Sequence, residues 1–362
     1  MENMVNRTPA STFWQGRKIF LTGHTGFKGC WFYRFLEILG AQVFGYALPP
    51  NGNSLYASIY GQQSENGAYA DIRDLNTLKR EASVFAPDVV FHFAAQPLVR
   101  ESYKRPIYTY ETNVMGTLNL LEAVRSIESV KAVIIITTDK CYRDMGWEWG
   151  YRETDSLGGA DPYSSSKACV ELLCDAWRSS YFNKTGVALA TVRAGNVIGG
   201  GDWADDRIVP DAMRAFQRGL PLVIRSPRAI RPWQHVLEPL YGYVLLAESL
   251  YDDREVFEKA WNFGPISSDA RSVENVVQSI VALWGKEARY VISEDSSFRE
   301  SQILRLDSSS AMQKIGWKPY LSFDDAISMT VDWYKRVYDG ADALAVTDDQ
   351  IISYMDRVGI HE

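Results

Sequence analysis

Two short stretches of this 362-residue chain carry side chains able to move protons. One is Thr138-Asp139-Lys140, a hydroxyl, a carboxyl and an ammonium in succession. The other is Tyr163-Ser-Ser-Ser-Lys167. A phenol and an ammonium at this spacing on a helix share one face. The cation favours the phenolate, so Tyr163 is expected to act as a base below its ordinary pKa of about 10. A carboxyl and a second ammonium at a strand end add acid–base capacity beyond what oxidation of an alcohol requires. A surface turn with a local ion pair is the plainer reading of Asp139-Lys140 alone. Thr138 beside it and Tyr163 further on argue against that reading.

A second feature binds rather than reacts. Thr22-Gly23-His24-Thr25-Gly26-Phe27-Lys28-Gly29 follows a strand and opens a helix. Such glycines permit a tight turn and close approach of the backbone to a diphosphate, which the helix N-terminus favours. Gly23, Thr25, Gly26, Phe27 and Gly29 are therefore the expected cofactor contacts. Lys28 reads either as a solvated helix residue or as a phosphate contact. The second strand should end in an acid for the adenosine ribose. Here it reads Gly45-Tyr46-Ala47-Leu48, with neither acid nor cation. The missing cation disfavours NADP, and the missing acid removes one anchor for NAD. Asp71-Ile72 is read as an adenine contact or as a polar strand cap. In His92-Phe93-Ala94-Ala95-Gln96, the small Ala94 and Ala95 leave room for a cofactor beside the sheet, and Gln96 is grouped with them. His92 is read as a hydrogen-bonded core residue.

The elements that must hold these groups alternate. Apolar, β-branched runs at 18–21, 41–46, 68–72, 89–93, 132–137 and 187–193 are separated by helical patterns at 27–39, 75–85, 110–127 and 163–179. That order implies a parallel, doubly wound sheet. Asp161 is the expected N-cap and Pro162 the first residue of the last of these helices. After Asn196 the pattern changes to short helices at 209–218, 238–250 and 273–284, with strands at 222–224 and 290–292. Residues 261–264 read as a strand returning to the first sheet, and 323–338 as a further helix. The expected class is α/β, a Rossmann-like doubly wound parallel sheet with a smaller mixed α/β C-terminal lobe. The first domain spans 13–195 with a returning segment near 232–264, the second lobe 196–340, and a tail 341–362.

Composition narrows the function. A net charge of −7 and no dense Lys/Arg stripe argue against nucleic-acid binding. No run reaches the roughly 20 apolar residues that span a bilayer, and residues 1–15 are too polar for a signal peptide. The four cysteines form no Cys-x-x-Cys pair, and His24, His92, His235 and His361 are scattered, so no metal site is expected. A cytoplasmic protein with reduced thiols is expected.

The glycine loop, His92–Gln96 and Tyr163/Lys167, in this order, resemble the extended short-chain dehydrogenase/reductase superfamily. Within it the chain is similar, from about Phe13 to Tyr354, to the CDP-glucose 4,6-dehydratases. The resemblance is carried by Thr22–Gly29, Ala94-Ala-Gln-Pro-Leu-Val-Arg100, Thr138-Asp-Lys-Cys-Tyr142, Arg193–Trp203 and Arg231-Pro-Trp-Gln-His235. Related dTDP-sugar dehydratases carry Asp-Glu in place of Asp139-Lys140. The resemblance implies that NAD takes hydride from sugar C4 while Tyr163 removes the O4 proton. Lys167 would stabilise the phenolate and hold the nicotinamide ribose, and Thr138 would bond the O4 oxygen. Asp139, its pKa raised in a dry pocket, would protonate the leaving O6, and Lys140, neutral, would take the C5 proton. Asn196, Arg207 and Arg231 are assigned to the substrate diphosphate. Trp233 is read as a cytosine stack or core filler, Arg100 as a site residue of undefined role, Arg193 as structural or phosphate-directed, and His235 as packing. A homodimer, or a tetramer, is implied through helices 110–127 and 163–179, with Val114, Leu118, Leu121, Val170 and Leu173 at the contact. Products of this kind feed surface polysaccharides containing dideoxy sugars, such as lipopolysaccharide O-antigen. Two alternatives share the loop and Tyr163/Lys167: a nucleotide-sugar 4-epimerase, which would not need the pair at 139–140, and a non-catalytic NAD-binding protein.

Overall fold

The computed structural model describes residues 11–63, 66–266, 270–293 and 303–360. Residues 1–10 of the polar N-terminal segment, and His361, lie outside them. Seven strands form the central sheet: β1 (Lys18–Thr22), β2 (Gln42–Ala47), β3 (Gly67–Tyr69), β4 (Val89–His92), β5 (Ala132–Ile136), β6 (Ala188–Ala194) and β7 (Ala260–Phe263). They lie in the order 7-6-5-4-1-2-3, every neighbouring pair parallel. The unbroken apolar runs follow from burial on both faces. Successive side chains of a strand point to opposite faces. In β5, Ala132, Ile134 and Ile136 accordingly enter one core while Val133 and Ile135 enter the other. β1 divides in the same way, with Ile19 and Leu21 on one side and Phe20 on the other. The expected doubly wound fold is borne out, and the segment near 261 does return to the sheet as β7.

Strand order reverses between β1 and β4, and a crevice opens there at the carboxyl ends of the strands. Packing around β1 explains one glycine. The buried His24 ring sits against Tyr56 and Tyr69, and a Cβ on Gly45 would lie 2.6 Å from it.

Several boundaries differ from the sequence reading. β3 ends at Tyr69, after which Asp71 turns the chain by accepting from the Asp74 N–H, so Asp71-Ile72 lie in a turn. The helix expected over 110–127 begins earlier, at Pro106–Tyr110, passes through a π turn at Glu111–Met115 and resumes as Gly116–Val124. Short helices at Leu55–Tyr60 and Val99–Lys104 were too brief to show a period. The segment expected as a tail carries the helix Ala343–Val358. It packs on the helices Phe27–Ile38, Leu55–Tyr60 and Phe323–Tyr338.

After Asn196 the chain forms two-stranded pairs, Leu222–Ile224 with Tyr290–Ile292 and Ile230–Arg231 with Arg271–Ser272, beside the helices Ile208–Gln217, Val273–Trp284 and Phe323–Tyr338. The helix Leu237–Asp252 packs on β5 and β6. Its Glu238 is buried and accepts from the N–H groups of Tyr320 (2.9 Å) and Leu321 (2.7 Å). Burial raises this carboxyl to about 8, against the pull of those two donors. The folded protein therefore holds a proton that the unfolded chain releases near pH 4.3. Stability from this group is full below that pH and is lost as pH rises through about 8. Melting curves between these limits should show a falling Tm, by a few degrees on the usual scale. Glu238→Gln should flatten that fall, and an unchanged slope would remove Glu238 as its source.

Candidate active site

The crevice is a cleft of about 1550 Å³ lined by residues from before and after Asn196. Its floor is the glycine loop. Gly23 has φ +76°, and a Cβ there would lie 2.6 Å from the Ala94 nitrogen, so β1 and β4 can leave the sheet side by side only with glycine. A Cβ on Gly29 would lie 2.1 Å from the Gly23 oxygen, which seats the helix Phe27–Ile38 on the loop. Gly26 is different. It is the N-cap, has no side chain to satisfy the first-turn N–H groups, and its Cβ would meet only the Gly23 oxygen, at 3.4 Å. Protein packing does not demand glycine there, whereas a diphosphate lying on those N–H groups would. The residues present thus fit a dinucleotide. Thr25 and Phe27 line the cleft as well. The Thr25 hydroxyl donates to the Leu48 carbonyl at 3.0 Å and ties the loop to the end of β2.

His92 holds the floor together. Thr117 donates to the Asn113 carbonyl (2.6 Å), so its oxygen accepts from His92 Nε2 (3.0 Å). His92 Nδ1 then accepts from Thr22 (2.7 Å), whose oxygen accepts from the Ala94 N–H (3.2 Å). Burial pushes this imidazole down to about 3, so it stays neutral. His92 is a core residue, as the sequence suggested.

Of the other cofactor positions, Ala94, Ala95, Asp71 and Ile72 reach the cleft wall. Asp71 is paired with Arg73 at 2.8 Å, which holds its carboxyl below the ordinary range. Gln96 does not line the cleft. Its side chain is spent on Leu98 (2.7 and 3.1 Å) and Thr109 (3.0 Å), and it shapes the loop after β4 rather than facing a ligand. Asn113, which the sequence did not single out, is the staple. Its oxygen accepts from the Gln96 N–H at 2.8 Å, and its amide donates to Ser166 at 2.9 Å. Ser166 in turn donates to the Tyr163 carbonyl at 2.7 Å. A helical asparagine carries no sequence signal for this role. The π turn that contains it is visible only in the fold.

The reactive wall comes from β5 and the helix Pro162–Trp177, which starts as expected with Asp161 capping Ser164 N–H at 2.9 Å. Thr138, Lys140, Tyr163 and Lys167 line the cleft together. Lys167 donates to the Ile136 carbonyl at 3.0 Å, and burial lowers its ammonium to about 8 while Glu171 pulls it back up. Tyr163 and Thr138 line the same cleft, and the Thr138 hydroxyl donates to Asp139. The sequence reading expected Lys167 to bring the phenol down. Instead burial raises it to about 12, and the leading influences that lower it are Thr138 and Arg207. Asp139 lies behind the wall. It is 1% exposed, its Oδ1 accepts from Thr138 (3.0 Å) and lies 3.6 Å from Lys140 Nζ, and its buried Oδ2 has no partner.

Behind this wall Arg193 pairs with Glu171 at 2.8 Å, both almost fully buried, and donates to the Tyr142 hydroxyl at 2.8 Å. Tyr142 donates to Asn262 on β7 at 2.7 Å. Arg193 is absent from the cleft lining, so of its two readings the structural one holds. Burial opposes charge on Glu171, yet Arg193 keeps its carboxyl below the ordinary range. Arg193→Met would strand that charge and should cost about 3–5 kcal/mol of stability. Urea unfolding would show it, and a loss under 1 kcal/mol would mean the pair is dispensable.

Asn196, Arg207 and Arg231 also line the cleft. Asn196 Oδ1 is buried without a partner, and Arg207 is held by Asp202 at 2.9 Å. Trp233 is 4% exposed with its N–H on the Arg271 carbonyl at 3.1 Å, and it belongs to the core while touching the cleft edge. Arg100 donates to Asp206 at 2.9 Å, and the same oxygen accepts from Arg225 at 3.2 Å. Arg225 escaped the sequence reading because it sits in no motif.

The model of the GDP-mannose 4,6 dehydratase family matches residues 20–330. A CDP-glucose 4,6-dehydratase of Salmonella typhimurium is 47% identical over 95% of this chain and 97% of that protein. Among solved structures, an epimerase from Methanothermobacter thermautotrophicus superposes with a TM-score of 0.79 at 22% identity, over 91% of this chain and 95% of its own. A dTDP-glucose 4,6-dehydratase from Bacillus anthracis, in complex with NAD, gives 0.74 at 21% identity, over 91% and 100%. The match along most of the chain, with a relative of this identity, shows that the chain belongs to the GDP-mannose 4,6 dehydratase family.

Proposed function

We propose that this protein dehydrates CDP-D-glucose to CDP-4-dehydro-6-deoxy-D-glucose with NAD as resident cofactor. The observation that carries the reading is the cleft lined by Thr138, Lys140, Tyr163 and Lys167 together with a glycine loop shaped for a diphosphate. The glycine loop and Lys167 would hold NAD, which would supply the hydride acceptor for C4 and the hydride donor for C6. Tyr163 takes the O4 proton, with Thr138 bonded to the same oxygen. Lys167, pinned to the Ile136 carbonyl, orients the nicotinamide ribose. Lys140 takes the C5 proton made acidic by the 4-ketone, Asp139 protonates the departing O6, and Lys140 returns a proton to C5 as C6 gains hydride. The buried, unpartnered Asp139 Oδ2 sits one layer deep, so a shift of the Thr138–Cys141 turn or a relayed proton is part of this step. Asn196, Arg207 and Arg231 receive the substrate diphosphate, whose charge suits Arg forks.

Among the described residues no helix is long and apolar enough to cross a membrane. The four cysteines are unpaired, which supports a cytoplasmic setting. Homodimerisation is proposed through the faces of Pro106–Met115 and Pro162–Trp177, where Ile107, Met115 and Leu172 are exposed. Leu121 and Val170, expected at this contact, are instead fully buried in the core. Incubation with CDP-glucose and with dTDP-glucose, with and without NAD, followed by mass spectrometry tests the reading. Loss of one water from CDP-glucose supports it. No mass change, with a C4 epimer found by NMR, would replace it with the epimerase.

A further inference from the structure

The turn that carries Asp139 and Lys140 is gripped at both ends by one buried ion pair. Thr137 comes immediately before the turn Thr138–Cys141, and its hydroxyl donates to Glu171 Oε1. Tyr142 comes immediately after it. The Tyr142 hydroxyl accepts from Arg193 Nη1 at 2.8 Å and donates to Asn262 on β7 at 2.7 Å. Arg193 Nη2 closes the ring on Glu171 Oε2 at 2.8 Å, and Thr191 on β6 donates to that same oxygen at 2.7 Å. The side chains of 137, 171, 193 and 142 thus form a frame around residues 138–141. Glu171 stands one turn past Lys167 on the helix that also bears Tyr163. The Cys141 carbonyl accepts from the Gly158 N–H at 2.8 Å, but that bond ties the turn to its own loop. The frame ties it to the helix and to β6 and β7.

This is more than a buried ion pair needs. Arg193 divides its fork, giving Nη2 to Glu171 and Nη1 to Tyr142 and the Glu153 carbonyl. An ammonium could match the carboxylate, but as a compact point charge it could not hold both sides. Both Tyr142 hydroxyl bonds run to the protein, so its oxygen is spent on the frame rather than on a ligand. We propose that Glu171 and Arg193 are positioning residues for the elimination of water. They fix the turn, and so the depth of Asp139 and the reach of Lys140, against the helix of Tyr163 and Lys167. This rests on the dehydration reading above. Neither residue lines the cleft, so both act through Thr137 and Tyr142. Thr138 is affected least, because it follows β5 directly and the Thr137 N–H is held by the Val192 carbonyl at 2.9 Å.

The test separates the two halves of the reaction in the purified protein, supplied with NAD and CDP-glucose. Arg193→Lys keeps a charge for Glu171 and gives up Tyr142. Tyr142→Phe removes the same link from the other side. Each should slow C5 deuterium exchange and water loss about tenfold or more, since small misplacements of reacting groups are costly. Reduced cofactor should still form in a single turnover within a few-fold of the wild-type rate. The double variant should be no slower than the slower single one, because the same link is broken once. Melting temperatures are followed in parallel: Arg193→Lys should melt above Arg193→Met yet dehydrate no faster. A purely structural pair would restore dehydration as it restores stability. That result overturns the assignment, as do wild-type elimination in either single variant, equal losses in oxidation and elimination, or a double variant whose penalty is the product of the two. Wild type that oxidises the sugar but releases no water would instead sink the dehydration reading, so the two failures are distinct.

Discussion

Tyr163→Phe should lower turnover of CDP-glucose by at least two orders of magnitude, the usual range for an acid–base group. The substitution removes one oxygen from a side chain that is 8% exposed, so the fold should persist. The loss should appear in the first half of the reaction. In a single turnover, no near-ultraviolet absorbance of reduced cofactor should develop, while the dissociation constant for NAD stays near its wild-type value. With the phenol pushed up to about 12 by burial, its base form is scarce at neutral pH. C4 oxidation by wild type should therefore accelerate as pH rises, and the variant should lose that dependence. Near-normal turnover in the variant would remove Tyr163 as the base.

Lys140→Met should fail later. Lys140 lines the cleft and is about one-third exposed, beside a carboxylate at 3.6 Å. Without its amine the C5 proton has no acceptor on this wall, and turnover should again drop at least about a hundredfold. Oxidation at C4 does not need this proton, so reduced cofactor should accumulate in the single-turnover experiment in which Tyr163→Phe shows none. In deuterated water, wild type should place deuterium at C5 of the product. The variant should exchange that position slowly or not at all. Exchange at the wild-type rate would show that another group is the base.

The sheet was legible because strands buried on both faces must be apolar throughout. The runs at 132–137 and 187–193 admit no other reading of comparable length, and β5 and β6 are found within one residue of them. The glycine loop and the Tyr163–Lys167 helix were legible because each is local in sequence. What the sequence could not show are partnerships across distance. Gln96 has the chemistry of a ligand contact, but Leu98 and Thr109 claim its side chain. Asp139 looks like a cleft residue beside Lys140, but the short turn Asp139–Cys141 sends adjacent side chains to different depths. The phenol's environment was misjudged for the same reason. Spacing places Lys167 on the right face, whereas burial, the leading influence on the phenol, depends on the whole wall.

The contact between His24 and Gly45 has an evolutionary reading. The imidazole occupies the place where any side chain at position 45 would begin, only 2.6 Å from it. These two positions, on β2 and on the loop after β1, cannot drift independently. A descendant that acquires a side chain at 45 must first have exchanged histidine at 24 for something smaller, because in the reverse order the new side chain meets the imidazole. In any lineage that keeps His24, position 45 should therefore stay glycine.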